Sequence, residues 1–442
     1  MRTGTSLQHR SDEALSLSKD ALVVLRCLDQ TSFAMNRQTR SRILLTATEA
    51  ALLKALCDDS VAAGISKLMR SRLPQFTSRL LQAGIIVPAD SDCASSDPHL
   101  FSMSTTVERF FVELTSACDL RCRHCFGRFG PTTRRDIPMK MIKWLLREGR
   151  ELGVHRMDLT GGEPTMHPFF DEVVAEIRNA GFVLTIFSNL THLSAKNLAA
   201  LASYPPLHVT TSIESLQTHV HDEFRGQKGS LRRTLANIEK LRNLSIPVQV
   251  NLVVGTHNYD DVPQTLDWLR SQDLPVIVDT VRLEGRATRD LLLSQRQARR
   301  LASLIAEETS SLATPKPSLC GIANSMVFVS SSGKLRICPS LNSSKHELAD
   351  LNSAVFTEES TLRQPLQSLV LYYDEFGHRP CRQTCPVSDR CDGGCPASAL
   401  SITGSAVSPD PHMCMRFEEI PPPPAAANLL VIKPKEQLAN DC

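Results

Sequence analysis

The chain has 442 residues, a formal net charge of +2 and 22% charged residues. That balance excludes a nucleic-acid-binding or anionic-membrane protein as a whole, and no apolar run approaches the ~18 residues that cross a bilayer. Met1–Arg10 lacks the apolar core of a secretory signal, so a cytoplasmic protein of two or three domains is expected. Residues 20–95 begin it as a small unit. Ala21–Cys27, Thr31–Met35 and Arg42–Thr46 are rich in branched and apolar residues and predict three short strands. Thr46 or Thr48 then caps a helix with Leu52, Leu53 and Leu56 on one face, and helical stretches at 60–70 and 74–84 follow. The acidic, serine-rich run Pro88–Pro98 reads as a linker.

Between 107 and 284 strands alternate with amphipathic helices. The predicted strands are Arg109–Leu114, Arg156–Thr160, Val183–Ser188, His208–Ile213, Val248–Val254 and Val276–Leu283. Helical spacing recurs in Lys140–Glu151, Phe169–Ala180, Leu231–Leu241 and Val262–Arg270. Six βα units predict an α/β fold, a parallel sheet curled into a partial TIM-like (β/α)6 barrel with its reactive groups at the strand C-termini. A helical linker (285–319), a cysteine-rich domain (320–418) and a flexible Pro-rich tail (419–442) complete the expected order.

Fourteen cysteines in a reducing compartment are not expected to pair as disulfides. Cys27, Cys57, Cys93 and Cys442 stand alone and read as buried or terminal thiols. The other ten form two spaced groups. In the first, Cys118, Cys122 and Cys125 make a C-x3-C-x2-C loop directly after the first barrel strand. Three thiolates hold three corners of a four-iron cluster and leave one iron open for a small molecule, whereas structural metal sites fill all four positions. The next strand ends in Thr160-Gly-Gly-Glu-Pro164, where two glycines permit close approach to the backbone and a carboxylate can hold an amine.

Together these residues resemble the radical S-adenosylmethionine (SAM) superfamily over nearly all of 107–284. The resemblance implies a [4Fe–4S] cluster on Cys118, Cys122 and Cys125. SAM then fills the open iron, its amine gripped by Glu163 and the Gly161–Gly162 backbone. Further contacts implied are Ser188 and Asn189 to SAM, Ser212 and Glu214 to its ribose, Arg225 to its carboxylate, and Arg282–Arg286 near its adenine. His124 departs from the family, which commonly has an aromatic residue before the third cysteine. The activity implied is reductive cleavage of SAM, fed by a donor such as flavodoxin or ferredoxin, to a 5′-deoxyadenosyl radical that takes hydrogen from an unactivated carbon.

In the second group Cys320, Gly333 and Cys338 precede Cys381-x3-Cys385-x5-Cys391-x3-Cys395 and Cys414. Alone this pattern fits structural zinc. Behind a radical SAM barrel it resembles the SPASM extension, which carries two auxiliary [4Fe–4S] clusters. That implies Cys320, Cys338 and Cys395 on one and Cys381, Cys385, Cys391 and Cys414 on the other. Cys381-x3-Cys385 has one intervening residue more than usual.

The order and length of the elements before the barrel resemble the peptide-binding domain, similar to the pyrroloquinoline quinone chaperone, of many ribosomal-peptide maturases. Such domains take a peptide leader as an added strand, here expected between Arg42–Thr46 and the last helix. A winged-helix DNA reader is the rival, but residues 1–100 carry 12 Lys/Arg against 10 Asp/Glu, too balanced for a phosphate-binding face. The expected function is therefore oxidative modification of a genetically encoded precursor peptide, a thioether or carbon–carbon cross-link. A formylglycine-generating, sulfatase-maturing enzyme and a non-catalytic zinc-binding interaction protein are the alternatives. No catalytic side chain is identified. Arg134–Arg135 read as solvated charges, and Phe110–Phe111 and Phe169–Phe170 as core.

Overall fold

The computed structural model describes residues 15–417 except 19–20, 26–31, 37–38, 40, 57–60, 90, 93–98, 103–106, 133, 310–321, 354–359, 378, 390 and 392. Cys27, Cys57, Cys93, Cys320, Cys442, most of the expected linker and the expected tail lie outside the described residues. The chain separates into two compact units. One comprises residues 1–109, 140–157 and 172–184, the other residues 110–139, 158–171 and 185–442.

The N-terminal segment runs β1 (Leu15–Leu17), β2 (Ala21–Leu25), β3 (Ser32–Asn36), β4 (Arg42–Leu45), α1 (Ala47–Ala55), α2 (Ala62–Arg72), α3 (Pro74–Gln82), β5 (Ile86–Pro88) and β6 (His99–Ser102). Thr46 is the cap of α1: its side chain accepts from Glu49 N, and the Glu49 carboxylate accepts from Thr46 N at 2.7 Å. The four-stranded sheet is ordered β4-β3-β2-β6, with β4 at one edge. Leu15, Val23, Ile43, Leu53, Met69 and Leu80 build the core beneath it. Beyond the three expected strands the structure adds β1, β5 and β6. β1 and β5 are three residues each and pair antiparallel with one another, too short for a period to show in sequence.

The barrel strands are β7 (Arg109–Thr115), β8 (Arg156–Gly161), β9 (Val183–Phe187), β10 (Val209–Ser212), β11 (Val248–Val254) and β12 (Val276–Thr280). They neighbour one another in sequence order and are parallel where β9 to β12 pair. Between them lie α4 (Met139–Leu152), α5 (Phe170–Asn179), α6 (Ala195–Ser203), α7 (Thr218–Arg225), α8 (Ser230–Asn243) and α9 (Val262–Ser271). Their burial follows the helical period: α8 buries Leu231, Thr234, Ile238 and Leu241. Phe170 is buried, but Phe169 is 47% exposed, a correction to the expected core pair that follows from its place before the helix.

After α10 (Gln295–Thr309) the sheet gains β13 (Met326–Val329), β14 (Lys334–Arg336) and β15 (Glu347–Asp350), added in that order beside β7. The short helices α11 (Arg363–Gln367), α12 (Leu369–Gly377), α13 (Cys381–Thr384), α14 (Pro396–Thr403) and α15 (Pro411–Cys414) follow, with Cys381 and Cys414 inside α13 and α15 and Cys385 and Cys395 at the ends of α13 and α14. Among the described residues, no helix is long and apolar enough to cross a membrane.

Candidate functional site

The loop Cys118–Cys125 leaves the C-terminal end of β7 and is tied down by the ends of other strands. Gly162 N donates to Thr115 O at 2.7 Å and Glu163 N to Ala117 O at 2.8 Å. Arg121 N donates to Arg225 O at 3.1 Å, and Arg286 N to Cys125 O at 3.1 Å. The Arg286 guanidinium adds bonds to Cys122 O (2.9 Å) and Phe129 O (2.7 Å). The contacts leave no room for a side chain. A Cβ at Gly162 would stand 2.3 Å from Ala117 O, and one at Gly285, whose φ is +56°, 2.1 Å from Cys125 O. The motif glycine Gly162 thus lets one strand end lie against the cysteine loop.

Cys118, Cys122 and Cys125 open into a 190 Å³ cavity. Gly161, Gly162, Ser188, Asn189, Ser212 and Arg225 line it as well, as do His124 and Arg286. Two expected contacts stand behind this wall. Glu163 is fully buried and accepts from Thr165 N (3.1 Å), Thr165 Oγ1 (2.7 Å), Ser188 Oγ (2.8 Å) and Asn189 N (2.8 Å). Burial pushes its carboxyl up to about 7, while these donors pull it back. Its carboxylate clasps β8 to β9, and the Gly161–Gly162 backbone is the part of the motif that meets the cavity. Glu214, also fully buried, pairs with Arg225 at 3.1 Å, and burial pushes it up to about 7 against the pull of that guanidinium.

Thr210, within β10, and Asn251, in the middle of β11, also line the cavity and were missed in the sequence. Asn251 carried a signal, as a polar residue in the largely apolar β11, whereas Thr210 sits among other hydroxyl residues in β10 and carried none. Thr210 Oγ1, Asn251 Oδ1 and His124 Nδ1 are buried with no hydrogen-bond partner among the described residues. Such atoms are costly unless a ligand satisfies them. Burial raises the Cys118 and Cys122 thiols, so they ionise readily only against a bound cation. Three thiols and a set of unspent donors and acceptors fit a three-thiolate iron–sulfur cluster with a polar organic ligand. His124 stacks on Phe224 (4.9 Å, 14°), which stacks on His257 (3.6 Å, 3°). Burial and Arg225 hold His124 at about 3, so it is a neutral, flat ring where the family has an aromatic one.

A second cavity of 680 Å³ shares Phe126 and Phe129 with the first. Arg128, Arg134, Arg135 and Arg336 line it, and Glu113 is its single lining carboxylate. The pair Arg134–Arg135, expected as plain solvated charges, therefore faces this cavity, with Arg134 also bonded to Asp136 at 2.9 Å. Glu113 accepts from Ser331 N at 3.2 Å and from Ser331 Oγ, and burial raises its carboxyl above the usual range.

Among the late cysteines, Cys414 is pushed up to about 12 by burial, reinforced by Asp410 and by neighbouring Cys391, Cys381 and Cys385. Those three thiols thus lie within electrostatic reach of Cys414. Cys338 is buried after β14, Cys395 precedes α14, and Cys320 lies outside the described residues. Among the described residues no three His, Cys, Asp or Glu side chains converge tightly enough for one metal ion. A four-iron cluster is itself several ångströms across, so its thiolates stand farther apart than those of a single zinc at ~2.3 Å.

Residues 112–269 match the family model described as the radical SAM superfamily. The AdoMet-dependent heme synthase of Methanosarcina barkeri is 30% identical over 169 residues, 38% of this chain and about half (48%) of that protein's length. The PqqA peptide cyclase of Ruegeria pomeroyi is 25% identical over 330 residues, 69% of this chain and 86% of its own. The fold also matches Streptococcus suis SuiB, solved bound to precursor peptide SuiA, with a TM-score of 0.62 at 16% identity over 90% of this chain and 98% of that one. The chain carries a radical SAM superfamily domain, built as a partial barrel.

Proposed function

We propose that the protein is a radical SAM maturase that oxidatively modifies a ribosomally made peptide, forming a thioether or carbon–carbon cross-link. The observation that carries this reading is the three-thiol loop at the end of β7, facing a cavity with unspent polar atoms that shares Phe126 and Phe129 with a larger one. When bound, a [4Fe–4S] cluster on Cys118, Cys122 and Cys125 with SAM would supply a 5′-deoxyadenosyl radical able to take hydrogen from an unactivated carbon. The chain's own residues orient and shield that chemistry. The Gly161–Gly162 backbone, Ser188, Asn189, Ser212 and Arg225 would hold SAM. The 680 Å³ cavity would seat the peptide, its arginine lining favouring a segment that bears carboxylates.

A net loss of two hydrogens from the peptide needs one hydrogen atom, one proton and one electron removed. Glu113, which lines that cavity, would take the proton. The cysteines of the C-terminal region, holding two auxiliary clusters, would take the electron. Relatives named PqqA peptide cyclase and a neighbour solved with a precursor peptide support a peptide substrate. The open edge of β4 supports leader docking as an added strand. The test is anaerobic incubation with SAM, reductant and a candidate precursor peptide, read by mass. Loss of two hydrogens supports the reading, and an unmodified peptide alongside continued 5′-deoxyadenosine release defeats it.

A further inference from the structure

Arg379 stands two residues before Cys381, in the stretch that leads from α12 into α13. It is fully buried. Its Nη1 donates to Gly393 O at 2.6 Å and Gly394 O at 3.0 Å, but Nε and Nη2 are buried with no hydrogen-bond partner among the described residues. Among the described residues no carboxylate oxygen bonds its Nε or Nη2. Asp410, whose charge reaches the guanidinium, spends its oxygens on Cys395 N (3.0 Å), Ser398 Oγ (2.7 Å) and His412 N (3.0 Å). The Phe376 ring, 5.9 Å from the guanidinium carbon, adds only a weak attraction.

A guanidinium does not shed its proton inside a protein, so a buried one needs a negative partner. What surrounds this one is sulfur. Cys381, Cys395 and Cys391 are the groups whose thiolate charge it feels most, along with Asp410. A Cβ at Gly393 would lie 3.2 Å from Arg379 Nη1 and 3.2 Å from Cys381 Sγ, so the cation and that thiol flank the same backbone atom. Four thiolates around a four-iron cluster leave it net negative, which is the missing charge.

We propose that Arg379 is the buried counter-charge of the auxiliary cluster held by the late cysteines, donating through Nε and Nη2 to its sulfur atoms and raising its reduction potential. Positive charge and hydrogen bonds to sulfur both favour the reduced state. Arg379 is therefore a positioning residue that keeps this cluster ready to receive the electron left on the substrate. The inference rests on the proposed auxiliary clusters and deepens that reading.

The experiment compares anaerobically reconstituted wild-type protein with Arg379→Gln and Arg379→Lys, measuring iron content and EPR-monitored reduction potentials. The expected result is a negative shift of one auxiliary signal in Arg379→Gln, a smaller shift in Arg379→Lys, and no change in the SAM-binding cluster or in 5′-deoxyadenosine release. Loss of auxiliary iron from the glutamine variant but not the lysine variant also supports the counter-charge. Full iron with unshifted potentials overturns it, as does equal iron loss from both variants, which marks mere packing. Wild-type protein holding only about four irons per chain overturns the auxiliary-cluster reading itself.

Discussion

Around Cys118, Cys122 and Cys125 the fold supplies three thiols, a cavity, and buried polar atoms with nothing to bond. Around Cys381, Cys385, Cys391 and Cys414 it supplies four thiols, a buried guanidinium and a carboxylate with both oxygens engaged. The first region is complete in its backbone and unfinished in its polar partners. The second is unfinished in charge alone. The difference teaches how one chain can separate two tasks of iron–sulfur chemistry. On the proposed function, a corner left open would bind and cleave a small molecule, and a closed set of ligands with a fixed counter-charge would take up an electron.

The comparison breaks most sharply at the thiols. Cys122→Ala should remove about four irons per chain and abolish 5′-deoxyadenosine release, whereas Cys391→Ala should remove iron yet spare that release and abolish the peptide product. If the two variants behave alike in the release assay, the division of tasks is wrong. Glu113→Gln should leave 5′-deoxyadenosine release intact and slow product formation on the order of 10²-fold, the usual worth of a positioned proton acceptor. An unchanged product rate in peptide assays by mass would remove Glu113 from the mechanism.

Smaller effects test the packing of the first region. Gly285→Ala forces a Cβ to within 2.1 Å of Cys125 O at a φ of +56°. It should cost on the order of 1–3 kcal/mol in denaturant melts and weaken iron retention in the barrel site only. The smallest effect is in pH. Burial, helped by Arg123, lowers the folded-state pKa of His257 to about 3. The unfolded chain takes up that proton below about 6.5 and the folded chain refuses it, so stability holds above that pH and falls below it, by about 1 kcal/mol per unit. His257→Gln should flatten this acid limb between pH 6.5 and 5, and an unchanged slope would refute the neutral stack with Phe224.

The strands and the metal-ligating spacing were the parts most legible in sequence. β11 was predicted residue for residue because Val248–Val254 is a buried strand with branched side chains. α6 and α7 were not, since nine and eight residues with mixed polarity give a weak periodic signal. The cysteine loop stood out through its spacing alone, and its three thiols line one cavity. What spacing could not show is which side of a motif residue faces the ligand: Glu163 was read as an amine holder, and its carboxylate is spent on Thr165, Ser188 and Asn189. Arg379 was invisible for a related reason, because a charged residue beside a cysteine reads as solvated until burial is known.

The most direct test is anaerobic: purified, cluster-loaded protein with SAM and dithionite, followed by chromatography for 5′-deoxyadenosine. The account predicts its release from wild-type protein and from Cys391→Ala, and none from Cys122→Ala. Wild-type protein that carries its full iron and releases none would contradict the claim that the open corner at the end of β7 cleaves SAM.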